Sequence, residues 1–250
     1  MTAIRSIIFE GIDRLGKSTL IDGIQNKLGF MQEVHYQKPK LLDIYLRKAR
    51  QDLMLADDDL SDKVKSYAYN LYQRASFTQM LHMLSSRQNN FIMNRAHLGE
   101  TVYAPRYRGY NGDYIFDLED HFIGHHGSDF VETTLLILLH TTSFDFVKDD
   151  GQSFDFDKKD EEQNDFIRAF ERSKIKHKLM LDVNDGGKFV EASQLISTII
   201  QAYNELPGLN HPILNVSWKD GVKSMQNQPD PNKGIAAIPD ESPTIGHSDT

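Results

Sequence analysis

The stretch Gly11-Ile12-Asp13-Arg14-Leu15-Gly16-Lys17-Ser18 carries the densest chemistry in the chain, in the spacing G-x-x-x-x-G-K-[ST]. A turn of this kind wraps successive backbone amides around phosphate oxygens, and the helix that follows turns its positive end toward the same charge. Gly11 and Gly16 allow close backbone approach and dihedrals barred to residues with a Cβ. Lys17 has the reach for β and γ phosphates, and Ser18 offers a hydroxyl to Mg²⁺. The expected ligands are ATP and Mg²⁺, held by Gly11, Ile12, Asp13, Arg14, Leu15, Gly16, Lys17, Ser18 and Thr19.

Such a loop needs a strand before it and a helix after it. Ser6 to Glu10 reads as a short apolar strand, and Leu20, Ile21, Ile24 and Leu28 mark one face of a helix that Gly29 ends. Further along, strands are expected near Glu33 to Tyr36, Asn90 to Asn94, Thr133 to His140 and Lys176 to Val183. Helices are expected over Lys40 to Leu55, over Ser61 to about Gln88, and around Ile196, Ile199, Ile200 and Tyr203. In the second of these, Val64, Ala68, Leu71, Ala75 and Thr78 mark the buried stripe, with Tyr67 and Arg74 on a neighbouring face. Thr133 to His140 is apolar without alternation, as a strand covered on both sides should be. Strands alternating with helices predict a parallel sheet with right-handed crossovers.

Composition bounds the class. With 250 residues and 39% hydrophobic content the chain can build one large α/β domain, placed at 1–206. Six of the eight prolines fall after Leu206, so 207–250 is expected to be an irregular, largely disordered tail in which Ile213 to Trp218 packs at most as a short strand. The absence of cysteine removes disulfides and thiolate metal sites and makes a cytoplasmic protein the simplest expectation. The longest apolar run, Leu135 to Leu139, is far too short to cross a bilayer, and the opening residues lack a leader pattern. A formal net charge of -8 argues against a broad nucleic-acid surface. A small anionic partner suits the chain better. His121, His125 and His126 share a loop-like region, without the carboxylate spacing of a zinc site.

The interior of the phosphate loop narrows the reading. Phe9-Glu10-Gly11-Ile12-Asp13-Arg14-Leu15-Gly16-Lys17-Ser18-Thr19 closely resembles the thymidylate kinase family, whose loop reads E-G-x-D-x-x-G-K-[ST], in the branch with arginine after the aspartate. The resemblance implies a three-layer P-loop kinase fold, α/β, with a central mostly parallel sheet of about five strands flanked by helices. It also implies that Arg14 points at the transferred phosphate and stabilises its growing charge. Residues 143–163 occupy the place of the family's lid and contain Lys148, Lys158 and Lys159 but no arginine, in agreement with that role for Arg14.

Asn94-Arg95-Ala96-His97-Leu98-Gly99-Glu100-Thr101-Val102-Tyr103 resembles the family's D-R-[YF]-x-x-S-x-x-A-Y in part: Arg95 and Tyr103 match, and Asn94 replaces the acid. The resemblance gives Arg95 the acceptor nucleotide's phosphate, a task that suits a guanidinium fork. Asn can accept a hydrogen bond but cannot take up a proton, so Glu10, Asp13 and Glu100 are the candidates to compensate. Arg74, with Tyr69, Tyr72 and Phe77 nearby, resembles the family's base-contacting helix, and Lys38 stands where another phosphate contact is expected. Arg106 and Arg108 lie in a loop-like, aromatic and basic stretch that suits an anion or a solvated turn equally, and Asp182 ends a strand where the resemblance puts an acid near the adenine side, a capping role fitting it equally.

The expected activity is phosphorylation of dTMP or a related deoxynucleoside monophosphate, with Lys17, Arg14 and Arg95 as the catalytic residues. Family members commonly form homodimers through long helices. Two alternatives remain: a kinase acting on a deoxynucleoside or a modified base in DNA, and a non-catalytic nucleotide-binding regulatory protein. The latter would gain from a guanine-reading N-K-x-D, which the chain lacks.

Overall fold

The computed structural model describes residues 4–29, 31–35, 42–86, 90–127, 129–148, 156–205 and 214–216. Strand β1 (Ser6–Glu10) feeds helix α1 (Lys17–Leu28), which ends at Gly29, whose N–H bonds the Gln25 carbonyl. Then come β2 (Gln32–His35), α2 (Asp43–Asp52), α3 (Asp62–Ser85) and β3 (Phe91–Asn94). The second half holds α4 (Gly99–Tyr107), α5 (Tyr114–His126), α6 (Asp129–Thr133), β4 (Thr134–His140), α7 (Lys159–Arg172), β5 (His177–Asp182) and α8 (Ala192–Glu205). Leu214–Val216 adds a short β6.

The strands form one parallel sheet in the order β2-β3-β1-β4-β5-β6. Five strands match the expected sheet, and β6 is the short strand foreseen within 213–218 at its edge. The rest of 207–250 lies outside the described residues. Every residue of β1 and six of the seven in β4 are buried. Successive side chains point to opposite faces, so helices must cover both faces. β1 sits between β3 and β4, which brings the ends of three strands together where the phosphate loop leaves the sheet.

Three expectations need correction. The buried stripe of α3 follows Val64 and Ala68 but then runs through Gln73, Phe77, Met80, Leu81 and Leu84, leaving Ala75 exposed. The helix is 24 residues long and serves two surfaces: its first half packs with Ala49 in a satellite cluster against α2, its second half on the main core. The stretch around Arg106 and Arg108 is not a loop, because α4 runs through Pro105. Proline has no N–H to give Thr101, yet burial of Val102 and Ala104 carries the helix past it. Likewise His121, His125 and His126 stand on α5, exposed, with their rings against one another and His82. Among the described residues no helix is long and apolar enough to cross a membrane, and no group of three or more His, Cys, Asp or Glu is placed to hold a metal.

Candidate active site

The phosphate loop is shaped by its glycines for two different reasons. Gly11 has φ 124, and a Cβ added there would lie 2.4 Å from the Leu139 carbonyl oxygen on β4, so both dihedral and space exclude a side chain. Gly16 has open space around it and is fixed by φ 83 alone. It stands at the N-cap of α1, where no side chain caps the helix and no acid sits in the first turn. The amides of Lys17, Ser18 and Thr19 therefore remain for an external anion. Lys17 is buried, and its Nζ donates to the carbonyls of Gly11 at 2.9 Å and Ile12 at 2.5 Å. Burial lowers its pKa to about 8, against the opposing pull of Glu10 and Glu162. The geometry and chemistry fit the triphosphate: uncapped amides, a convergent cation, and the exposed Ser18 hydroxyl for Mg²⁺. Arg14 is exposed at the crest of the loop, in the left-handed region at φ 67.

Across the β1–β3 pairing the acceptor candidates meet this loop. The Asn94 side-chain amide donates to Ser18 Oγ at 3.2 Å, so residue 94 touches the serine hydroxyl of the phosphate loop directly. Arg95 follows with φ 69, its N–H bonding the Phe9 carbonyl at 2.9 Å. Its guanidinium pairs with Asp13 of the phosphate loop and lies 5.4 Å from the Tyr103 ring. Glu10, fully buried, holds the next turn: its Oε1 accepts the amides of Ala96 at 3.1 Å and Leu98 at 3.0 Å. Burial pushes the Glu10 carboxyl above its usual range, with His97, the Ala96 amide, Arg95 and Lys17 pulling it back.

Sequence reasoning missed Glu162, in the first turn of α7. It is fully buried, and neither of its oxygens nor the Tyr103 hydroxyl has a hydrogen bond of good geometry, although the two groups interact. Burial raises the pKa of both, while Tyr103, Arg106, Arg95 and Lys17 oppose the rise at Glu162. A signal existed. Glu162 shares the helical stripe of Phe166, Ala169 and Phe170, so it is an acid at a core position rather than one more charge in an acidic segment.

Other candidates are engaged elsewhere. Glu100 does not reach the loop: it pairs with Arg108 and accepts the hydroxyls of Tyr110 at 2.6 Å and Tyr114 at 3.0 Å, which removes it from the acids able to compensate for Asn94. Arg106 pairs with Asp165 and, at 3.3 Å, Glu161, joining α4 to α7. Arg74 lies 4.0 Å over the Tyr114 ring, so its aromatic partner comes from α5. Tyr72 packs edge-on against Tyr45 and Phe77 is buried, which makes them packing residues. Asp182 accepts the Thr142 hydroxyl at 2.8 Å and the Asn184 amide at 2.9 Å, a turn-capping role. Lys148 and Lys158 are exposed, the Lys159 ammonium lies 5.7 Å from the Phe144 ring, and Lys38 lies outside the described residues.

No protein-family model matches the chain, and no curated protein matches it in sequence. Solved structures do match. The YorR protein of Bacillus subtilis, solved in complex with phosphorylated GDP, is similar at 14% identity and TM-score 0.50, over 82% of this chain and 99% of that one. Thymidylate kinase from Ehrlichia chaffeensis is similar at 14% identity and TM-score 0.46, covering 80% and 98%; shikimate kinase from Aquifex aeolicus at 14% and 0.40, covering 80% and 97%. At this identity the likeness is one of fold. With the loop and the strand order, the chain has a P-loop α/β fold, a parallel sheet flanked by helices, shared with the YorR protein.

Proposed function

We propose that this protein transfers the γ-phosphoryl group of ATP to the 5′-phosphate of a deoxynucleoside monophosphate, dTMP or a close relative, yielding the diphosphate and ADP. The observation that carries the proposal is the Asp13–Arg95 pair, which sets an arginine fork directly across from the phosphate loop. A fork in that place suits an acceptor that itself carries a phosphate. Left-handed backbone at Arg14 and Arg95 supports the same reading. A residue with a Cβ pays roughly 1 kcal/mol or more for that conformation, and such strain gathers at functional sites.

In this mechanism the uncapped amides of α1 and Lys17 hold the β and γ phosphates, which the lysine reaches by leaving the carbonyls of Gly11 and Ile12. Mg²⁺, when bound at Ser18, neutralises phosphate oxygens. Arg95 exchanges Asp13 for the acceptor phosphate, whose oxygen attacks Pγ as the bond from Pγ to the β-bridging oxygen breaks. Arg14 stabilises charge on the transferred group. The role expected of 143–163, of which 149–155 lie outside the described residues, is to exclude water, which competes as an acceptor.

Asn94 favours a second reading, in which the acceptor is a hydroxyl of a deoxynucleoside or of a modified base in DNA, since the neutral amide changes what surrounds Ser18. Coupled-assay rates with dTMP, other deoxynucleotides, free deoxynucleosides and DNA separate the two. Turnover is expected only with monophosphates. Activity confined to acceptors lacking a phosphate would overturn the first reading, and tight ATP binding without acceptor-dependent turnover would favour a regulatory protein.

A further inference from the structure

Behind the acceptor segment lies a buried polar array that the mechanism does not use. His97 and Glu119 are 1% and 0% exposed, and His97 Nε2 stands 2.6 Å from Glu119 Oε1. The same oxygen accepts the Ser173 hydroxyl at 2.7 Å, and Glu119 Oε2 accepts the Lys174 amide at 2.6 Å. Burial raises the Glu119 carboxyl, but the bonds from His97, Lys174 and Ser173 outweigh it, and its pKa falls below the usual range. Buried ionic arrays are weak devices for stability, because apolar side chains of similar volume do as well. This one therefore calls for a reason other than stability.

The array's position supplies one. Residues 95–98 are tied at every step: the Arg95 amide to Phe9, the amides of Ala96 and Leu98 to Glu10, and the His97 ring to Glu119. The two buried acids hold the segment, Glu10 by its backbone and Glu119 by its side chain. A left-handed arginine at 95 persists only where its surroundings over-determine it. Ser173 is also the C-cap of α7, whose first turn carries Glu162, so α7 reaches Glu119 at one end and Tyr103 of the acceptor segment at the other.

We propose that His97 and Glu119 are a positioning pair that fixes the conformation of Arg95 and so sets affinity for the acceptor phosphate. The proposal rests on the reading of Arg95 as the acceptor arginine. The test uses the full chain and the variants His97→Ala, His97→Gln, Glu119→Gln and the double variant His97→Ala with Glu119→Gln. His97→Gln retains a donor near the place of Nε2 and serves as the conservative control.

Two readouts are taken. The first is kcat/KM for dTMP beside Kd for ATP. His97→Ala and Glu119→Gln are expected to lower acceptor kcat/KM by about 10- to 100-fold while ATP Kd stays within about twofold, a range set by misplacement of a positioned group. His97→Gln should recover most of the loss, and the double variant should be no worse than the more damaged single one. The second is the Arg95 side-chain Nε–H resonance in ¹⁵N NMR, assigned with Arg95→Lys, which should move in His97→Ala and return in His97→Gln. If the variants lose thermal stability while acceptor kcat/KM and the Arg95 resonance hold, the pair is merely structural and the proposal is overturned. If wild type shows no acceptor-dependent turnover, the kinase reading fails, and the resonance still decides whether the pair positions Arg95.

Discussion

The proposed donor and acceptor halves of this site are built on opposite plans. The features that shape the phosphate loop lie mostly within 11–18: two glycines, an uncapped helix start and a lysine held by carbonyls of its own turn. The acceptor side is assembled from β3, α4, α5 and α7, and each side chain is placed by a partner far away in sequence, as Arg95 is by Asp13 or Glu119 by Ser173. A local site fails when its own residue changes. A distributed site fails through its partners, and many of its charged residues can change without touching the chemistry.

Lys17→Met tests the local half with the largest expected effect. Turnover should fall by about 10³-fold or more, since a charge aimed at the transferred phosphate is removed. Ligand-free protein should nevertheless be no less stable. The gap between 10.5 and about 8, at about 1.4 kcal/mol per pH unit, caps the burial penalty near ~3 kcal/mol, and the two carbonyls left without a donor offset part of the gain. The sign with pH is definite. Below pH 8 both folded and unfolded chains hold the proton and the penalty is constant; between 8 and 10.5 only the unfolded chain holds it, so wild-type stability rises relative to the variant. Urea melts at pH 7 and 10 measure this, and a variant advantage that grows with pH would contradict the assignment.

Arg14→Ala comes next. An exposed loop arginine leaves little packing behind, so the fold should survive while turnover drops by about 10²- to 10³-fold. Near-normal kcat would move the role to Lys148, Lys158 or Lys159.

The same contrast explains what could be read from the sequence. The loop, its strand and helix, and the five principal strands were legible because motif spacing and apolar runs are local signals. Arg14, Lys17 and Ser18, in the turn after β1 and the start of α1, and Asn94 and Arg95, at the end of β3, could be located for that reason. Glu100 could not be sorted from Glu10, because only the fold shows that Arg108, Tyr110 and Tyr114 enclose it. Glu162 was hidden in an acidic run where its burial depends on α4 packing against α7. Helices α4 and α5 escaped notice because Pro105 and the Gly109 to Gly112 turn look like punctuation until tertiary burial overrides them.

Asn94→Asp probes the seam between the halves. A carboxylate beside Ser18 should lower the Mg²⁺ concentration for half-maximal turnover by about fivefold, since hard cations favour anionic oxygen. Titration of rate against Mg²⁺ at saturating ATP decides it. An unchanged midpoint would mean that residue 94 does not face the ion.

The smallest catalytic effects belong to Arg106 and Arg108, and they separate structure from function within the distributed half. Arg108→Met leaves the fully buried Glu100 with two tyrosine hydroxyls and no cation, an uncompensated charge that should cost roughly 3 kcal/mol. Arg106→Met frees Asp165 and Glu161, whose side chains are 21% and 68% exposed and can turn to water, so the loss should be about 1 kcal/mol or less. Neither change should move acceptor KM by more than about twofold once assays run well below each melting temperature, because both guanidinium groups are already held by acids of the scaffold. Chemical denaturation and dTMP kinetics on the two proteins test this together. A tenfold rise in acceptor KM for Arg106→Met would show that its pairs with α7 open to receive the phosphate, and the division between the gripping arginine at 95 and the bracing arginines at 106 and 108 would have to be redrawn.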